Sequence, residues 1–191
     1  MIIIQHRVNT IKDLENVPSN HGIEVDIRIE KNKLILNHDP FEDGEDFLKF
    51  LDYYNHEFII LNMKCDGGEN LIIKELKNRK IKNFFFLDCS IPKINSMTKL
   101  GIRNFAVRYS ILEPLDFTLK FNNQVDWVWI DCFNGFHLPI SDYSQLKKKF
   151  KICLVSPELQ GIDKSHIKKF KKLSKEFEID AICTKFPHLW I

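Results

Sequence analysis

Little in these 191 residues is extreme, and the absences narrow the field. A formal net charge of +2 is too small to demand nucleic acid as a partner. The five cysteines, Cys65, Cys89, Cys132, Cys153 and Cys183, are odd in number and show no CxxC spacing. They fall in or beside strand-like runs, so reduced and partly buried thiols are expected rather than a disulfide framework. The opening stretch MIIIQHRVNT has neither a basic leader region nor a long apolar run, so no signal peptide and no membrane span are expected, and the cytoplasm is the default location. No internal repeat, low-complexity linker or shift in composition divides the chain. One domain over residues 1–191 is the simplest expectation, and 44% hydrophobic with 28% charged residues supplies an ordinary core and surface.

What is present is an alternation of short β-rich runs with helical patterns, the signature of parallel strands joined by helical crossovers. Eight strands are predicted: Ile2 to His6, Ile23 to Ile29, Phe58 to Lys64, Phe84 to Asp88, Asn104 to Ser110, Trp127 to Cys132, Ile152 to Ser156 and Asp180 to Thr184. Helices fit near residues 10–16, 45–54, 69–79, 92–100, 115–121, 142–150 and 164–177. The last is the clearest, because Ile167, Phe170, Leu173 and Phe177 recur at helical spacing among lysines, with Asp163 placed to cap its start. Eight βα units predict an α/β fold, a compact (β/α)8 TIM barrel. Such barrels typically need about 250 residues, so the loops must be very short or the barrel incomplete. The lysine runs at 147–151 and 164–175 read as solvated helix faces, with membrane-surface contact as the minor alternative.

The stretch GIEVDIRIEKNKLILNHD, residues 22–39, departs from the apolar norm of a buried strand. Glu24 and Asp26 alternate with Ile23, Val25 and Ile27, so both acids share one face. Ordinarily an i, i+2 acidic pair is the solvent face of a half-exposed strand. A fold that buries both in ionised form usually places a cation between them, and oxygen ligands suit Mg2+ or Ca2+. His38 then ends a second short run, Leu34 to Asn37.

Taken with His6-Arg7 closing the first strand, Asn9-Thr10 beyond it, His38-Asp39, Lys64 ending FIILNMK, and the closing strand IDAICTKFP, this stretch resembles the glycerophosphodiester phosphodiesterase family. The resemblance spans nearly the whole chain, with its specific motifs within residues 1–64. It implies a metal-dependent phosphoric diester hydrolase acting on a small-molecule phosphodiester. Glu24 and Asp26 would be metal ligands, His6 and His38 the general acid and base in an order left open, and Arg7 and Lys64 would sit beside the phosphate. The family's third acidic ligand corresponds to Asn62 here, an amide oxygen that can still ligate Mg2+ or Ca2+. Relatives commonly have glycine where Val8 stands, and the sizeable insertion that follows their His-Asp is missing.

Residues outside the resemblance complete the candidates. Arg108 is placed either to grip the phosphate or to pair with a strand-end acid such as Asp88 or Asp131. Glu158 is a minor candidate to make up for Asn62, and Trp127 and Trp129 read as barrel core. Two other activities fit the same residues: a lyase-type cleavage through a cyclic phosphate, as in sphingomyelinase D or phosphatidylinositol-specific phospholipase C, and a diverged phosphate-binding protein with little turnover. Oligomeric state is left open.

Overall fold

The computed structural model describes residues 1–191. Ten strands lie in one sheet. They are β1 (Ile2–Gln5), β2 (Gly22–Glu30), β3 (Lys33–Leu36), β4 (Glu45–Asp46), β5 (Phe58–Met63), β6 (Phe84–Leu87), β7 (Ala106–Tyr109), β8 (Trp127–Ile130), β9 (Lys151–Val155) and β10 (Ala181–Thr184). The eight long-range neighbours run parallel in the order β6-β5-β2-β1-β10-β9-β8-β7. A single parallel bridge, Phe86 to Phe105, joins the two ends and closes the circle. All eight predicted strands are present within one or two residues of their expected ends.

The helices between them are short: α1 (Ile11–Leu14), α2 (Phe47–Tyr53), α3 (Glu69–Asn78), α4 (Ile91–Thr98), α5 (Leu115–Leu119), α6 (Ile140–Lys147), α7 (Ile167–Ser174) and α8 (Pro187–Trp190). Trimmed crossovers are how eight units fit into 191 residues. The lysine-rich segment begins as a 3-10 turn, Lys164–His166, capped by Asp163, whose side chain accepts from the Ser165 N–H at 2.8 Å. It becomes α-helical only at Ile167. No helix is long and apolar enough to cross a membrane.

Beyond the eight units, β3 folds back antiparallel on the far end of β2, pairing Ile27 with Leu36, and β4 adds to β3. This flap brings His38 to the rim cavity at the strand ends. The larger core lies between strands and helices, while a second cluster fills the barrel axis, with Ile4, Phe58, Ile60, Phe85, Trp127 and Cys153 among its members. Trp127 and Phe85 pack at 5.0 Å between ring centroids, and Phe58 sits 5.2 Å from Trp127 and 5.7 Å from Phe85. These three rings plug the end of the barrel away from the strand C-termini. Gly22 makes room for them, since a Cβ there would lie 2.9 Å from Ile4 Cγ1 and 3.0 Å from Phe58 Cβ. All five cysteines are free thiols.

Phe85 is fully buried, so Phe85→Ala is expected to cost about 3–5 kcal/mol in urea unfolding. A loss below about 1 kcal/mol would show that the axial plug is not where the barrel is held.

Candidate active site

The eight parallel strands deliver their last residues to one rim, and a cavity of about 350 Å³ opens there, lined among others by His6, Glu24, Asp26, His38, Asn62 and Lys64. All eight predicted site residues line it: these six together with Arg7 and Arg108. A larger groove of about 700 Å³, between Lys164–Lys171 and Phe186–Leu189, has one acidic side chain, Asp163. That carboxylate is spent on its own helix cap. The clustered titratable side chains are in the rim cavity.

At its floor, Glu24 and Asp26 are both fully buried on adjacent inward positions of β2, and Asn62 faces them from the neighbouring β5, where it pairs in register with Asp26. Each acid is heavily partnered. Glu24 accepts the Arg7 N–H at 2.7 Å and the Asn62 Nδ2–H at 2.8 Å. Arg7 adopts a left-handed backbone conformation, φ 56°, which turns its N–H inward to the carboxylate. Asn9 braces Asp26 twice: its Nδ2 donates to Asp26 Oδ2 at 2.8 Å, and its Oδ1 accepts the Asp26 N–H at 2.8 Å. Val8 is buried and donates its N–H to the Glu24 carbonyl at 2.8 Å, which ties the loop after β1 to β2.

The charges balance only in part. Lys64 Nζ lies 3.1 Å from Asp26 Oδ1, and Arg7 Nε lies 3.8 Å from Asp26 Oδ2. Glu24 is raised to about 7, first by burial and then by the Asp26 charge, against the hydrogen bonds from Asn62 and Arg7. His6 is lowered to about 3, first by burial and then by the Arg7 charge, so its ring is neutral at neutral pH. Its Nε2 lies 3.7 Å from Glu24 Oε2, and its Nδ1 is buried without a partner. His38 is more open; its Nδ1 meets Asp39 Oδ1 at 2.8 Å, and its carbonyl accepts two N–H groups from Arg28, at 2.7 and 3.2 Å. The Arg28 clamp fixes the flap, and the Asp39 contact fixes the ring.

No group of three or more His, Cys, Asp or Glu side chains comes together as a metal cluster. The donor set on offer is the two carboxylates and the Asn62 amide oxygen. That oxygen is buried without a hydrogen bond, because Glu24 holds the other end of the amide. Asp26 Oδ1 likewise has no hydrogen-bond donor, only the Lys64 ammonium at ion-pair distance. Two carboxylates and one amide oxygen, with Asp26 Oδ1 and Asn62 Oδ1 free of hydrogen bonds, form a hard-oxygen set that fits Mg2+ or Ca2+.

The opposite wall bears on two expectations. Arg108 lines the cavity, but its guanidinium is committed to both candidate acids: Nε and Nη2 to Asp88 Oδ1 at 2.9 and 2.6 Å, and Nη1 to Asp131 Oδ2 at 2.5 Å. It bridges β6 and β8 instead of standing free to take a phosphate. Glu158 does not reach the cavity. Its carboxylate accepts from the Ser156 and Thr184 hydroxyls and the Lys185 N–H, so it cannot stand in for a third acid at Asn62. Trp127 and Trp129 are both core, and Trp129 also lines the cavity, donating its Nε1–H to Asp131 at 3.0 Å. Asp131 is also held by Gln160 Nε2 at 2.6 Å. Gln160, at the end of the 3-10 turn Pro157–Gln160, and Phe133, beyond the end of β8, carried no signal in the sequence, since both lie outside any periodic run.

No family model matches the chain, and no curated protein matches it. Solved structures do. The crystal structure of a glycerophosphodiester phosphodiesterase from Agrobacterium tumefaciens str. C58 superposes with a TM-score of 0.70 at 13% identity, covering 100% of this chain and 99% of that one. A glycerophosphoryl diester phosphodiesterase from Parabacteroides distasonis ATCC 8503 superposes with a TM-score of 0.68 at 10% identity, covering 99% of this chain and 84% of that one. The chain therefore has the TIM-barrel-like fold of the glycerophosphodiester phosphodiesterases, over its full length.

His6 and Glu24 bend the pH dependence of stability in opposite directions. In the unfolded chain His6 takes up its proton near 6.5, in the fold only near 3. Its contribution is whole above about 6.5 and is lost as pH falls toward 3. The Glu24 contribution is present below the ordinary carboxylate value of 4.5 and is lost as pH rises through about 7. In EDTA, urea unfolding of His6→Asn is expected to lose part of the wild-type acid-side slope between pH 6 and 4. An unchanged slope would contradict the buried neutral ring.

Proposed function

We propose that the chain is a metal-dependent phosphodiesterase that hydrolyses small phosphodiesters, including glycerophosphodiester-like ones, in the rim cavity. The observation that carries this reading is the fully buried Glu24–Asp26 pair lying beneath two histidines and a lysine at the strand ends. The superposed phosphodiesterases add support through their fold. Mg2+ or Ca2+ on Glu24, Asp26 and the Asn62 amide oxygen would supply positive charge against the non-bridging oxygens of the substrate.

The protein's own groups divide the remaining work. Lys64 and Arg7 bring positive charge to the same oxygens. Of His6 and His38, one accepts the proton of the attacking water as its oxygen bonds to phosphorus, and the other gives a proton to the alcohol oxygen as the phosphorus–oxygen bond on the far side breaks. The products are an alcohol and a phosphomonoester. A binding-only alternative draws on Asn62, which removes one negative charge from the donor set, and on Lys64, which already neutralises Asp26.

Turnover of bis(p-nitrophenyl) phosphate and a panel of glycerophosphodiesters, with Mg2+, with Ca2+ and in EDTA, separates the readings. The hydrolase reading predicts cation-dependent release of alcohol, reduced by about 10²- to 10⁴-fold in His6→Ala and in His38→Ala. Calorimetric binding of a phosphodiester without turnover under any condition would favour the binding protein. A cyclic phosphate product would favour the lyase.

A further inference from the structure

We propose that a side pocket in the barrel wall between β6 and β7 takes a short alkyl or aryl substituent of the phosphodiester held at the rim. This rests on the phosphodiesterase reading above and adds a substrate class to it.

The pocket exists because the barrel is joined weakly at one seam. Every other neighbouring pair of barrel strands shares a ladder, whereas β6 and β7 meet only at the Phe86 to Phe105 bridge, reinforced by the Phe86 N–H donating to the Asn104 carbonyl at 2.8 Å. Above that bridge the strands part. A cavity of about 150 Å³ opens at the gap, with Ile91, Ile94, Val107, Phe117 and Phe121 in its lining. Ala106 and Val107 of β7 line it from the strand side, and Ile91 and Ile94 of α4 with Phe117 and Phe121 of the α5 region line it from the helix side, so the pocket sits at the seam beneath those helices.

Asp88 and Arg108 line this pocket and the rim cavity alike. They span the seam as an ion pair, where a backbone ladder would otherwise run. Asp88 adopts φ 60° at this point, directing its carboxylate across the gap. The pair is a threshold: on one side lie Lys64 and the buried acids, on the other an apolar chamber.

The chemistry of the chamber sets the ligand class. Its polar edge is already engaged, with Glu113 accepting from the Ser110 hydroxyl at 2.6 Å and Asp88 held by Arg108. A hydroxyl-rich substituent would give up water there without gaining partners, which is unfavourable. An alkyl or aryl group would exchange water for the Ile94, Val107, Phe117 and Phe121 side chains, which is favourable in proportion to the area covered.

The test is a series of methyl, propyl and hexyl p-nitrophenyl phosphates, followed by p-nitrophenolate release with the activating cation present. Water adds to phosphorus, the bond to the aryl oxygen breaks, and the alkyl phosphate is the second product. The wild type is expected to gain up to about fourfold in kcat/KM per added methylene over the first carbons, then level off as the pocket fills. Ile91 stands half-exposed at the pocket wall, so Ile91→Trp fills the opening from the surface. The hexyl-to-methyl ratio should fall to near one in that variant, and also in Ile91→Asp, which puts a charge at the opening. Turnover with a flat series in the wild type, or a ratio unchanged in both variants, overturns the side pocket alone. No turnover of any ester overturns the phosphodiesterase reading and this proposal with it.

Discussion

Two carboxylates with no solvent exposure, on adjacent inward positions of one strand, are the constraint to which the rest of the rim answers. Like charges brought together in a low-dielectric interior repel, and each has lost the water that would hold it ionised. The chain meets this cost with local donors. The left-handed turn at Arg7, the Asn9 Nδ2 and the Asn62 amide each aim a hydrogen-bond donor at Glu24 or Asp26, while Asn9 Oδ1 accepts the Asp26 N–H. Lys64 then supplies a full positive charge. Even so, burial and the neighbouring Asp26 charge leave Glu24 well above the ordinary carboxylate value, so the local donors offset only part of the cost of holding both acids ionised.

The brevity of the chain shapes everything above that floor. With crossovers of one to three turns, loops cannot arch over the rim, so a two-strand flap and single residues at the strand ends do the covering. His38 reaches the cavity because β3 doubles back on β2 and Arg28 holds its carbonyl. On the far side, an alternating line of charge runs from Asp26 through Lys64, Asp88 and Arg108 to Asp131, with successive separations of 3.1, 4.0, 2.6 and 2.5 Å. Side-chain pairs thus hold the top of a barrel whose backbone ladder is interrupted between β6 and β7.

The strands were legible because buried parallel strands are near-continuous apolar runs, and IIIQ, FIILNM, FFFL, WVWI and AICT have no other plausible use. The acid pair stood out against that background for the same reason. Less was legible where geometry depends on neighbours. The two-residue β4 has no pattern of its own, and it exists only because β3 offers an edge. The sequence left Arg108 undecided between a phosphate and an acid, since its partners come from β6 and β8 and are fixed by strand register. Glu158 looked available in SPEL, yet Ser156 and Thr184 turn it away from the rim. The inward N–H of Arg7 is a main-chain feature that no side-chain pattern announces.

The most direct test of this account is a calorimetric titration of Mg2+ and of Ca2+ into the wild type and Asn62→Asp. A site built around the buried acids predicts one cation per chain in the wild type and tighter binding in Asn62→Asp, where a third carboxylate replaces the orphaned amide oxygen. No binding of either cation in the wild type, or no change in affinity in the variant, would contradict it.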